Sequence, residues 1–109
     1  MKLKKLSKEL LEKDIEQYLC REIKKLGGTA YKFTTPARRS VPDRLCLLPG
    51  GIAVFIECKR PGKRLSDAQE NKIAELQKLG FDVTWVDTKE RVNEEIERIK
   101  CFMSEKEEI

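Results

Sequence analysis

Two short apolar runs meet across a Pro-Gly-Gly turn, and each carries charge at the end far from that turn. They are Asp43-Arg44-Leu45-Cys46-Leu47-Leu48 and Ile52-Ala53-Val54-Phe55-Ile56-Glu57-Cys58, joined by Pro49-Gly50-Gly51. β-Prone runs with a short glycine-containing connection predict a hairpin. A turn centred on Gly50 sets Asp43 opposite Glu57. Cross-strand partners lie about 4.5–5.5 Å apart at Cβ and share a face. Lys59 joins them there, because side chains alternate along a strand with a period of two. Two carboxylates and one ammonium thus converge from separate places in the chain.

Opposed like charges destabilise a sheet, and burying an uncompensated carboxylate costs more still. A cation between Asp43 and Glu57 would resolve the conflict, and hard oxygen ligands of this kind suit Mg²⁺ or Mn²⁺. Lys59 would then orient or activate a water, or neutralise charge developing on a phosphate. The plainer alternative is a hairpin whose charged ends are simply solvated. The triplet alone leaves both open.

The remaining composition narrows the chemistry. The chain has 109 residues, enough for a single modest core, so one domain is expected. Charged residues make up 39%, with a net charge of +4, which suits a polyanionic partner only weakly. No histidine is present. That removes the commonest zinc ligand and the usual base for a serine or cysteine nucleophile. Cys20, Cys46, Cys58 and Cys101 form no CxxC pair and read as reduced thiols. Met1-Lys2-Leu3-Lys4-Lys5 leads into no long apolar run, so neither a signal peptide nor a membrane span is expected. A cytoplasmic protein is the expectation.

Around the hairpin, a first helix is expected from Ser7 to about Leu26, stopped by Gly27-Gly28. Leu11, Ile15, Tyr18, Leu19, Ile23 and Leu26 form its apolar sector, and Glu12 falls inside it. A carboxylate on such a stripe suits a charge or metal partner, or else complements the helix dipole from the surface. Leu3, Leu6 and Leu10 lie on another side of the wheel, as a frayed arm or a contact with a second subunit. Thr29–Thr34 reads as a strand and Thr35–Ser40 as a loop carrying Arg38 and Arg39. A second basic connection, Arg60-Pro61-Gly62-Lys63-Arg64, leaves the same end of the central strand. Two such loops would cradle a phosphate backbone, or merely be solvated.

Ser66-Asp67-Ala68-Gln69 has the form of a capping box and opens a second helix with Ile73, Leu76 and Leu79 on its buried face. Phe81–Val86 is the last strand, with Phe81, Val83 and Trp85 alternating on one face. Trp85 reads as a core aromatic, with base stacking as the alternative. A last helix runs from Lys89 to about Phe102, followed by an acidic tail, 104–109, expected to fray.

Pro42-Asp43, thirteen residues, then Glu57-x-Lys59 resembles the signature of PD-(D/E)xK nucleases. Gly27-Gly28, Arg38-Arg39 before Val41-Pro42-Asp43, and Leu65-Ser66-x-x-Gln69 narrow the resemblance to the VRR-NUC family, over about Glu12 to Asp87. One departure is Ser40, where the family pattern usually has glycine.

The resemblance implies an α/β fold with a restriction-endonuclease-like core. Its four-stranded mixed sheet is flanked by helices in the order α-β-β-β-α-β-α, with a domain core of about residues 7–103. It also implies Glu12 as a third acidic member, binding metal through water, the Cys58 carbonyl as a further ligand, and Gln69 facing the site. Stand-alone members, many from phages, resemble Holliday-junction resolvases. The expectation is therefore a Mg²⁺- or Mn²⁺-dependent DNA endonuclease acting on branched DNA as a homodimer, in the cytoplasm of a bacterial or phage-infected cell. Rival readings are a nicking or flap nuclease, a non-catalytic DNA-binding module, and a subunit of a repair complex.

Overall fold

The computed structural model describes residues 2–36 and 40–107, with side chains from Glu12 onward. The elements follow as α1 (Lys2–Lys25), β1 (Thr29–Lys32), β2 (Arg44–Leu48), β3 (Ile52–Cys58), α2 (Asp67–Lys78), β4 (Asp82–Val86) and α3 (Lys89–Glu107). This is the expected α-β-β-β-α-β-α order. One four-stranded sheet has the order β1-β2-β3-β4. The first two pairings are antiparallel and β3–β4 is parallel, with α2 as the crossover between them.

Arg44 pairs with Ile56 and Leu48 with Ile52, the register expected from a turn centred on Gly50. Gly50 and Gly51 both have positive φ, 88° and 73°, the backbone shape a tight hairpin of this hand requires. Beside the same end of the hairpin, Gly28 lets α1 lead straight into β1. A Cβ there would lie 2.5 Å from the Leu47 carbonyl oxygen, so the strand approaches too closely for any other residue.

Alternation in β3 assigns the two sheet faces. Ile52, Val54, Ile56 and Cys58 point to one face, where they join Ile15, Leu19 and Ile23 of α1 and Val92, Ile96 and Ile99 of α3 in the main core. Tyr18, Leu26 and Met103 pack against its margin. Arg44 projects to this face too and meets Glu16 of α1 at 2.7 Å, tying helix to strand. α2 lies on the opposite face and packs against β4, burying Ile73 and Val83.

The structure corrects three local expectations. α1 begins at Lys2, so the leading residues belong to the helix. Leu79, placed by the sequence on the buried face of α2, is 67% exposed, because it is the C-cap, where the helix ends. α3 runs on to Glu107, so most of the segment read as a frayed tail is helical. Glutamate and lysine are good helix formers, and that propensity carries the helix past its last core contacts.

Candidate active site

The β2–β3 ladder ends at Arg44–Ile56, and just beyond it two carboxylates replace the missing backbone bonds. The Asp43 amide donates to Glu57 Oε1 at 3.1 Å, and the Cys58 amide donates to Asp43 Oδ2 at 2.9 Å. Each acid thus satisfies an amide from the other's strand, which fixes both side chains while leaving lone pairs on each. The buried Pro42 holds the approach to Asp43. Ser40, two residues earlier, has φ of 71°. That left-handed conformation costs an L-residue about 1–2 kcal/mol and is free for glycine, which accounts for glycine being usual at this position.

Glu57 is only 2% exposed and Lys59 7%. Lys59 Nζ lies 3.9 Å from Glu57 Oε2. Gln69 reaches the same oxygen from α2, its Nε2 donating at 2.6 Å. The other end of that amide completes the capping box: Gln69 Oε1 accepts from the Ser66 amide at 2.9 Å, while the Gln69 amide donates to Ser66 Oγ at 3.1 Å. One side chain therefore opens the helix and anchors the acid.

Burial pushes the Glu57 carboxyl up to about 8; its hydrogen bond to Asp43 and the charge of Asp43 add to this, while Lys59 and the Asp43 amide oppose it. Without a cation the Glu57 carboxyl is driven toward its neutral form. This is the fit expected of a divalent-metal site: two hard oxygen donors, held close, whose mutual repulsion a positive ion would relieve. The Cys58 thiol is a poor ionic ligand by contrast, since burial raises its pKa far above the usual range.

The structure brings together Asp43, Glu57, Lys59 and Gln69. Glu12 is half-buried on α1, which lies against the face served by Ile56 and Cys58, whereas Glu57 and Lys59 project on the other. No group of three or more acidic, histidine or cysteine side chains able to hold a metal occurs among the described residues. Glu16, one turn along α1, is instead engaged by Arg44. Arg60, Lys63 and Arg64 stand on the connection after Lys59 and make no ion pair among the described residues, while Arg38 and Arg39 lie outside the described residues.

Comparison with known proteins identifies the family. The family model for the VRR-NUC domain matches residues 3–90. The chain belongs to the VRR-NUC family. A protein named as a candidate nuclease, p44 of Acyrthosiphon pisum secondary endosymbiont phage 1, is 46% identical over 79 residues, covering 72% of this chain and 85% of the relative. A solved VRR-NUC domain superposes with a TM-score of 0.75 at 28% identity, covering 79% of this chain and 94% of its own. VRR-NUC membership makes the chain a member of a nuclease family. Among the described residues, no helix is long and apolar enough to cross a membrane.

Sequence reasoning missed two features beside the site. Arg44 clamps α1 to the strand that carries Asp43, and Arg91 lies over the indole of Trp85, 4.8 Å from guanidinium carbon to ring centroid. Each is one basic residue among many in the sequence, and only the fold reveals its partner.

Proposed function

We propose that this VRR-NUC protein is a metal-dependent endonuclease that hydrolyses DNA phosphodiester bonds, selects branched DNA, and acts as a homodimer in the cytoplasm of a bacterial or phage-infected cell. The observation that carries the proposal is the pairing of half-buried Asp43 with buried Glu57 beside Lys59, with Gln69 holding Glu57 in place. Asp43 and Glu57 would hold Mg²⁺ or Mn²⁺, with the Cys58 carbonyl as a further ligand; Glu12 would join through water. A bound divalent ion supplies a nucleophilic water at neutral pH and offsets charge on phosphate oxygens. Lys59 Nζ orients that water or neutralises the developing charge, and Gln69 keeps the Glu57 carboxylate aimed. Arg38, Arg39, Arg60, Lys63 and Arg64 would grip flanking phosphates without reading base edges.

A second copy of the chain is favoured by the sheet face that α2 leaves open. Tyr31, Leu47 and Phe81 are 56%, 41% and 52% exposed there, around a cluster in which Phe55 meets Phe33 and Phe81. An uncharged apolar strip on a chain this rich in charge suits a like strip better than a polyanion. It shares its face with Glu57, so a two-fold axis through it would give a symmetric pair of sites for a symmetric junction.

The test is cleavage of a labelled four-way junction, a flap and a plain duplex with Mg²⁺ or Mn²⁺ and with EDTA. Asp43→Ala and Glu57→Ala are run in parallel, with solution mass measured alongside. Paired symmetric cuts in the junction, lost with EDTA and in both variants, are expected from a dimer. Metal-dependent cutting of flap or duplex alone would keep the chemistry and overturn the substrate. Folded protein that binds DNA and cleaves nothing would overturn the nuclease.

A further inference from the structure

We infer that Arg91, which lies beyond the segment matched by the family model, is a phosphate-binding residue for the DNA strand that flanks the scissile position. The inference rests on the nuclease reading for its substrate, but its geometry is independent. Glu57 and Trp85 are register partners in the parallel β3–β4 pair, so the indole and the carboxyl share a face at the same end of the sheet. Arg91, in the first turn of α3, returns to that indole. Its Nη2 donates to the Trp85 carbonyl at 3.1 Å, and its guanidinium carbon sits 4.8 Å from the ring centroid. The Arg91 amide is held in turn by Thr88 Oγ1 at 3.0 Å.

The guanidinium is fixed, yet its charge is unspent. Arg91 makes no ion pair among the described residues, whereas its neighbours on α3 do. Arg98 is committed to Asp82 at 2.8 Å and Glu95 at 2.7 Å, and Lys89 to Asp14 at 3.2 Å. A guanidinium held by one carbonyl and one aromatic face keeps several N–H donors free and loses little freedom on taking a phosphate bidentately. One strand spacing plus the stacking contact puts it about 10 Å from Glu57, the range of a phosphate adjoining the cut rather than the cut itself.

The experiment is equilibrium binding of a fluorescent four-way junction in EDTA across a salt series, with Arg91→Gln, Arg91→Lys and Trp85→Phe beside the wild type. Thermal melting monitors folding. Arg91→Gln is expected to weaken binding about 5–10-fold and to lower the salt slope by about one, while Arg91→Lys retains the slope. Trp85→Phe, which keeps an aromatic face, should fall between them. Unchanged affinity and slope in Arg91→Gln would overturn the inference, as would a wild type that binds no DNA at low salt. If Arg91→Gln does not fold, the inference stands or falls on whether Trp85→Phe weakens binding. Binding in EDTA needs no turnover. A wild type that binds through Arg91 and never cleaves would therefore defeat the nuclease reading and leave this inference standing.

Discussion

On one face of the sheet, α1 and α3 close over Ile56, Val54 and Cys58 until almost nothing apolar meets water; on the other, α2 covers β4 and leaves Tyr31, Leu47 and Phe81 open. Both faces are served by the same strand. In β3, Ile56 and Cys58 point into the closed core, and Glu57 between them points to the open side. The closed face makes the strand rigid. The open face uses that rigidity to hold two carboxylates at a separation their charges resist. Stability and chemistry are thus divided between odd and even positions of one strand, and substitutions on the two sides should fail in different ways.

The largest effect on folding should come from the closed side. Leu19 is fully buried beneath the sheet. Truncation to alanine removes its contacts and leaves a cavity, a loss of about 2–5 kcal/mol. A domain of this size holds only about 5–15 kcal/mol in all, so Leu19→Ala should lower the denaturant midpoint sharply or prevent folding. Asp43→Ala, on the open side, should keep its melting temperature within a few degrees while cleavage disappears. An Asp43→Ala protein that melts as early as Leu19→Ala would break the division of labour between the faces.

Gln69 allows a finer cut, because its two ends serve different purposes. Ser66→Ala removes the hydroxyl cap of α2 and should cost about 1 kcal/mol, roughly 4–8 °C in melting temperature, with turnover retained. Gln69→Ala removes the reciprocal bond and also the contact to Glu57. It should match Ser66→Ala in stability and lose a further 10–100-fold in cleavage, the usual effect of freeing a ligand from its outer support. Equal activity in the two variants would reduce Gln69 to a cap.

Much of this arrangement is legible in the amino-acid sequence, and the parts that are not share a cause. The hairpin register follows from local information, a Pro-Gly-Gly turn and strand alternation, and so does the capping box of Ser66 and Gln69. The family resemblance, carried by spacing and local words, brings Gln69 to the site, and Ser40 stands out against the same pattern. What local pattern does not supply is the relation between elements. Glu12 falls within an apolar sector of its helix, yet a helical wheel gives no distance from that carboxylate to Glu57, which stands on a separate element. Phe81 alternates correctly with Val83, yet it is 52% exposed, with its ring edge-on to Phe55. Arg91 differs from Arg98 only in what the fold brings near it, two acids in one case and an indole in the other.

The smallest effect concerns the cost of holding the acids together. Burial and Asp43 raise the Glu57 pKa to about 8 from an ordinary carboxylate value of 4.5. Between those limits the folded protein holds a proton that the unfolded chain has released. Without metal, this group's contribution is therefore fully present below the lower value and is lost as pH rises toward the upper. Each pH unit crossed costs up to about 1.4 kcal/mol. Glu57→Gln keeps a hydrogen-bonding amide of the same size and removes the titration. In EDTA, the wild type should lose at least about 1 kcal/mol more than Glu57→Gln between about pH 5.5 and 7.5, roughly 4 °C or more in melting temperature. The variant should be the more stable of the two at about pH 8 while cleaving nothing. Parallel melting curves for the two proteins would mean that Glu57 ionises freely beside Asp43. The open face would then be no less comfortable for charge than water, and the contrast between the two sides would be one of packing alone.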